Sequence, residues 1–222
     1  LGRAARRATN PALISPEPAV SDQYEVGARG TLGPLVLTTA AFYSESDAAS
    51  LLQPDPSCAG QSFCPLIPLR VPQKVWGVEG TVAWPVASNL DLGGVFTWQE
   101  GEIFDEELGD YLPFGADTVS PTRVTLYSDW RPLQPLALRV QATYIFASDF
   151  FSPAEQELGL VDTESVFTMD LNASYDVGPG TFGLGITNLL DEEYENVTLA
   201  AGGFTPTLAE GRRIVASYRV RF

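Results

Sequence analysis

Apolar and polar residues change places one by one over most of this chain. Trp76, Val78, Val82 and Trp84 stand against Gly77, Glu79, Thr81 and Ala83. Leu90, Leu92, Phe96 and Trp98 stand against Asp91, Gly93, Thr97 and Gln99. Leu136, Leu138, Val140, Ala142, Tyr144 and Phe146 oppose Arg139, Gln141 and Thr143, and Phe167, Met169, Leu171, Ala173 and Tyr175 oppose Thr168, Asp170, Asn172, Ser174 and Asp176. A period of two marks a strand with one apolar face, and helical periodicity is hard to find. Weaker alternation covers 24–30, 35–44, 122–130 and 181–189. The stretch GRRIVASYRVRF (211–222) sets Ile214, Ala216, Tyr218, Val220 and Phe222 against Val215, Ser217, Arg219 and Arg221, which brings the prediction to nine strands.

The connections alternate short and long. TLGP (31–34), PVASN (85–89), RPLQP (131–135) and VGPG (177–180) are tight turns rich in Gly, Pro and Asn. Between them fall polar stretches read as long loops, about 47–71, 101–119, 150–164 and 191–210. Short turns on one side and long loops on the other are the layout of an outer-membrane barrel. Strands of ten or more residues exceed the usual 5–6. Trp76, Trp84, Trp98, Trp130, Tyr144 and Tyr175 sit near strand ends, as interfacial girdles require. A soluble β-sandwich shares the alternation but gives no reason for the sorting of loop lengths. The expected fold is therefore all-β: an antiparallel transmembrane β-barrel meander.

Composition narrows the function. The chain has 222 residues and a formal net charge of −15, from 28 acidic and 13 basic residues. That balance argues against nucleic acid, whose binding rests on cationic contacts to phosphate. No run of apolar residues approaches the length of a membrane-spanning helix, but strands cross a membrane with far weaker hydropathy signals. No signal peptide is visible and residue 1 is Leu, so the chain reads as a mature or internal piece of something longer. With no histidine, no cofactor or metal is expected and no Ser-His-Asp set can be assembled, so the chain is expected not to be an enzyme. The pairs Glu106–Glu107 and Glu192–Glu193 lie among other acids and read as solvated surface. Cys58 and Cys64, in CAGQSFC, are too widely spaced for a CxxC redox motif and are a disulfide candidate in a polar loop, with two free thiols as the other reading. Nine antiparallel strands cannot close uniformly on themselves, so partners are expected elsewhere.

Four segments, in order, resemble the C-terminal part of TonB-dependent outer-membrane receptors. NPALISPEPAVSDQYEVGARG (10–30) is similar to the family's NP-x-L-x-PE…YE-x-G segment, and KVWGVEGTVAWPV (74–86) to its G-V-E strand. GLGITNLLDEEYE (183–195) resembles its NL-F-D-x-x-Y motif, with Leu190 in place of Phe, and 211–222 resembles its closing strand. The resemblance implies that residues 1–222 form part of a siderophore-receptor-type barrel of 22 strands, the last nine of them, without the plug domain or early strands. It implies active uptake of a scarce ligand in the bacterial outer membrane, most often a ferric siderophore. The implied partners are the TonB complex acting through the plug, outer-membrane lipid and lipopolysaccharide, and the barrel assembly machinery. A passive porin-like or adhesin barrel is the alternative. In the receptor reading, Phe104, Tyr111, Phe114 and Phe204 are candidates for an external ligand vestibule. Arg139, Asp170, Asn172, Arg213, Arg219 and Arg221 are expected to face the lumen. Ile214, Tyr218, Val220 and the final Phe222 form the expected assembly signal.

Overall fold

The computed structural model describes residues 20–54, 66–105, 108–114, 119–148, 163–195 and 208–220. They form one antiparallel sheet: β1 (Ser21–Leu32), β2 (Leu35–Pro54), β3 (Leu66–Ala87), β4 (Leu90–Asp105), β5 (Asp110–Pro113), β6 (Arg123–Leu133), β7 (Leu136–Ile145), β8 (Val166–Val177), β9 (Gly180–Thr187) and β10 (Arg213–Val220). Nine strands follow one another in chain order, and β5 folds back on β4 outside that path. The nine-strand meander read from the alternation is this path, and β5 is an addition.

The loop boundaries need correcting. The polar stretch 47–71 contains the ends of β2 and β3, which pair as far as Pro54 and Leu66. The stretch 101–119 contains the end of β4 and all of β5. Backbone pairing needs no alternation of side chains, so a hairpin continues beyond the point where the period of two stops. The strands also absorb their prolines. Pro72 falls where the β2–β3 register slips between Ser46 and Ala49, Pro85 borders the slip in β3–β4, and Pro132 falls within the β6–β7 slip between Trp130 and Leu133. A residue without an N–H is tolerated at such irregularities. Two of the short turns, Gly33-Pro34 and Gly178-Pro179, have positive φ at glycine (60° and 55°). Proline's fixed negative φ follows, which is the sign order of a type II′ hairpin.

The registers carry one set of faces across the whole sheet. On one face, Tyr24, Tyr43 and Trp76 lie side by side at the long-loop end. Leu138, Val140 and Ala142 of β7 meet Ala173, Leu171 and Met169 of β8, and Ala173 and Tyr175 meet Leu184 and Phe182 of β9. Ile214, Ala216 and Tyr218 of β10 meet Ile186, Leu184 and Phe182. Trp84, Trp130, Tyr175, Phe182 and Tyr218 mark the same face near the short turns. Between the two aromatic rows no Asp, Glu, Lys or Arg falls on this face among the described residues. The spacing from Trp76 to Trp84 is eight residues, about 27 Å along a strand and about 20 Å along the normal at a tilt near 40°, close to the ~25 Å apolar band of outer-membrane barrels.

That face is not covered by protein. Leu126, Ile214 and Tyr218 are all more than half exposed, and only Val71, Val119 and Val166 are buried apolar side chains among the described residues. A sheet with so broad an apolar exposure is stable when hydrocarbon covers it. The opposite face carries Glu79, Asp91, Arg123, Asp129, Arg139, Asp176 and Arg219.

An arginine facing lipid at mid-depth costs roughly 2–4 kcal/mol. Ile214→Arg is therefore expected to lower the amount of membrane-assembled protein far more than Ser217→Arg, as read by the fraction migrating as heat-modifiable barrel on gels. Equal losses would contradict the assignment of faces.

Candidate functional site: the polar face and the base of the last loop

The polar face is kept open by flat aromatic–glycine pairs. Phe42 lies across Gly77, where a Cβ would meet its ring at 2.7 Å, and Tyr127 covers Gly93. Each aromatic stands directly opposite its glycine on the neighbouring strand. Laid against the sheet, these rings take up surface without projecting. Arg139 stacks its guanidinium 4.4 Å above the Tyr127 ring and reaches Asp129 at 3.2 Å. Asp129 is directly opposite Asp91, so the arginine offsets the repulsion of two carboxylates on adjacent strands. Both ends of the Arg139–Asp129 pair are more than 40% exposed, which keeps its net contribution to about 0–1 kcal/mol.

Beside this cluster lies a depression of about 640 Å³, lined by Asp91, Arg139, Asn172, Ser174, Arg213 and Ser217 among others. Gly183 and Gly185 also line it; a Cβ on Gly183 would come within 2.8 Å of the Ser217 hydroxyl, and one on Gly185 within 3.2 Å of the Asn172 amide oxygen. The depression offers hydrogen-bonding groups of both signs and no nucleophile–base pair.

A second constellation closes the end of β9. Asn188 is 5% exposed with φ 50°, a conformation asparagine tolerates better than most residues. Its N–H donates to Asp170 Oδ1 at 2.9 Å, its Oδ1 accepts the Glu192 N–H at 2.9 Å, and its Nδ2 donates to the Glu192 carbonyl at 2.8 Å. Asp191 (φ 59°) accepts the Arg212 N–H at 3.0 Å through Oδ1 and pairs with Arg212 Nη2 at 3.1 Å through Oδ2. The motif NLLDEEY thus ties β8, β9 and the start of β10 together at the base of the 191–210 segment. Sequence reading noticed the motif but not these roles. The signal was present in Asn and Asp three residues apart at a strand end, the types that bond locally to backbone.

The predicted site residues sort as follows. Arg139, Asp170, Asn172, Arg213 and Arg219 share the polar face, and Ile214, Tyr218 and Val220 the apolar one. Phe104 and Tyr111 meet edge to face at 5.3 Å, with Lys74 Nζ 3.8 Å from the Tyr111 ring centroid. They project on the side of the apolar face, above its aromatic row. Phe114 folds the other way, against Gly101, on the polar side. The vestibule candidates therefore do not form one cluster. Phe204, Arg221, Phe222, Cys58 and Cys64 lie outside the described residues.

The sequence profile of the TonB dependent receptor-like beta-barrel matches residues 2–189. The chain belongs to that family. Its members are β-barrels of the bacterial outer membrane, which accounts for the lipid-facing belt. The ferric aerobactin receptors of Escherichia coli and Klebsiella pneumoniae are each 29% identical over 182 residues, 79% of this chain and 22% of theirs. The chain thus spans about a fifth of the length of these relatives. Among solved structures, the ferric-catecholate import receptor Fiu of E. coli superposes with a TM-score of 0.68 at 19% identity, over 98% of this chain and 30% of that one. The copper transporter OprC gives 0.70 at 13% identity, over 91% and 31%. The pyoverdine receptor FpvA of Pseudomonas aeruginosa gives 0.66 at 18% identity, over 93% and 30%. These superpositions establish the barrel-wall fold.

Removing the buried Asn188 side chain takes away two hydrogen bonds to the Glu192 backbone, at about 1–3 kcal/mol together. Urea unfolding of the receptor should show Asn188→Ala destabilised by that order, and Arg139→Met by less than about 1 kcal/mol. The reverse ranking would contradict the roles given to the two clusters.

Proposed function

We propose that this chain is part of the wall of a TonB-dependent receptor that actively takes up a scarce chelated metal, most simply a ferric siderophore. The observation that carries the reading is the family match over residues 2–189. The curated relatives are named for ferric aerobactin, and solved structures of the same fold include receptors for ferric catecholate and pyoverdine. A structure of the same fold is a copper transporter, so the fold by itself does not choose the metal. Coupled uptake is preferred to a passive porin-like or adhesin barrel because the matched family is one of TonB-dependent receptors.

In this reading the polar face lines the lumen, with Arg139, Asp170, Asn172, Arg213 and Arg219 on its wall and Arg221 continuing the same period. A plug occupies the lumen and transmits the pull of the TonB complex. Ile214, Tyr218, Val220 and Phe222 present the apolar-aromatic pattern read by the barrel assembly machinery. The segments 101–117 and 195–210 stand at the long-loop end, where Phe114 and Phe204 take part in an external vestibule, and Phe104 and Tyr111 face outward toward the surrounding lipopolysaccharide. Cys58 and Cys64 form a disulfide in the β2–β3 connection.

Cells dependent on this receptor should accumulate radiolabelled iron from a ferric siderophore panel and lose that uptake when TonB is absent. Replacing 101–117 or 195–210 with a short turn should weaken siderophore binding on whole cells severalfold. Uptake that survives without TonB would favour the passive barrel, and unchanged affinity in both loop replacements would remove the vestibule.

A further inference from the structure

The apolar face is not uniformly filled. A groove of about 450 Å³ crosses it, lined by Ala28, Leu37, Thr39, Gly80, Val82 and Phe96 among others. Gly80 is one of its lining residues. It lies in the middle of β3, flanked by Thr39 of β2 and Phe96 of β4. Several strand glycines have evident packing reasons: a Cβ at Gly77, Gly101 or Gly180 would meet neighbouring atoms at 2.5–2.6 Å, whereas one at Gly30, which lines the same groove, would meet nothing within 4 Å. A Cβ at Gly80 would meet only the Thr38 carbonyl oxygen, at 3.8 Å. Gly80 also has none of the positive φ angles found at Gly33, Gly109 and Gly178. Glycine inside a strand is unfavourable and often marks a place where a ligand approaches the backbone closely. Among the described residues nothing requires glycine here, which points to a requirement from what lies outside.

We propose that this groove seats one acyl chain of a phospholipid from the periplasmic leaflet. The groove is continuous with the lipid-facing belt, so its surroundings are hydrocarbon. Its one hydroxyl on this face, Thr39 Oγ1, donates inward to the Glu79 carbonyl at 3.0 Å, which leaves the methyl group to face the occupant. Same-face rows on a strand are about 7 Å apart, room for a single hydrocarbon chain but not for a helix of about 10–12 Å diameter. The groove begins midway between Trp76 and Trp84, at Gly80, and extends one row toward the short turns, to Leu37 and Val82. Short turns are periplasmic in such barrels, and the periplasmic leaflet is built of phospholipid. This inference rests on the outer-membrane location and is independent of which ligand the receptor carries.

The test uses the receptor that carries this chain, reconstituted in vesicles containing phosphatidylethanolamine with a photoreactive acyl chain. Cross-links should concentrate severalfold on 37–39, 78–82 and 94–96 relative to the equally apolar segments 167–175 and 214–220. Gly80→Leu should abolish that enrichment while leaving heat-modifiable migration intact. Native mass spectrometry of receptor extracted in mild detergent should show a retained phospholipid mass. Even labelling over the apolar face would overturn the proposal, as would unchanged enrichment in Gly80→Leu or retained lipid A in place of phospholipid. So would an intermolecular disulfide from Thr39→Cys, which would place a second copy of the chain on the groove. Should Gly80→Leu fail to assemble, the wild-type cross-link map decides alone.

Discussion

Inside hydrocarbon a backbone N–H or C=O without a partner costs several kcal/mol, and every feature of this chain answers to that constraint. It explains why each strand is bonded to the next in chain order and why short turns suffice at one end. It explains why Pro72, Pro85 and Pro132 fall at or beside places where the register slips. It also explains why, among the described residues, almost nothing apolar is buried and the broadest apolar surface is the one left open. Van der Waals contact with lipid takes the place of a core. The edges at β1 and β10 fall under the same constraint, and each requires a strand beside it, which the rest of a closed wall supplies.

With the backbone settled, the side chains divide the labour by face. One face is a belt bounded by two aromatic rows. The other mixes acids, arginines, amides and glycines, with rings laid flat across glycines so that the surface stays unobstructed. Some charges on that face are paired with one another or with backbone: Arg139 with Asp129, Arg213 with Glu210 at 3.6 Å, and Asp170 with the Asn188 N–H. This suits a wall that must stay in place while something passes or shifts beside it. The NLLDEEY turn does for the end of the sheet what the hairpins do elsewhere, fixing the approach of β10 through Asp191 and Arg212.

Much of this was legible in the sequence because a strand pattern has a period of two and the belt has two clear limits. The faces of Ile214, Tyr218, Arg213 and Arg219 followed directly from alternation. The strand ends did not. Beyond the aromatic rows the alternation stops while hydrogen bonding continues, so 47–54 and 66–71 read as loop although they pair. β5 was missed for the same reason, being four residues, Asp110–Pro113, in an acidic segment. Phe104, Tyr111 and Phe114 were grouped by proximity in the chain, and the hairpin sends them to opposite sides. The local Asn–Asp spacing signals a turn clamp, but the partners of Asn188 and Asp191 that lie 18 and 21 positions away, Asp170 and Arg212, are not encoded in any local pattern.

The central claim is that the apolar face meets lipid along the whole width of the sheet. It is tested most directly by spin labels placed singly at 167–176 of β8 in the receptor reconstituted in bilayers, with relaxation measured against oxygen and a water-soluble nickel complex. The account predicts a period of two: high oxygen accessibility at Phe167, Met169, Leu171, Ala173 and Tyr175, and low values at Thr168, Asp170, Asn172, Ser174 and Asp176. No alternation, or the opposite phase, would contradict it.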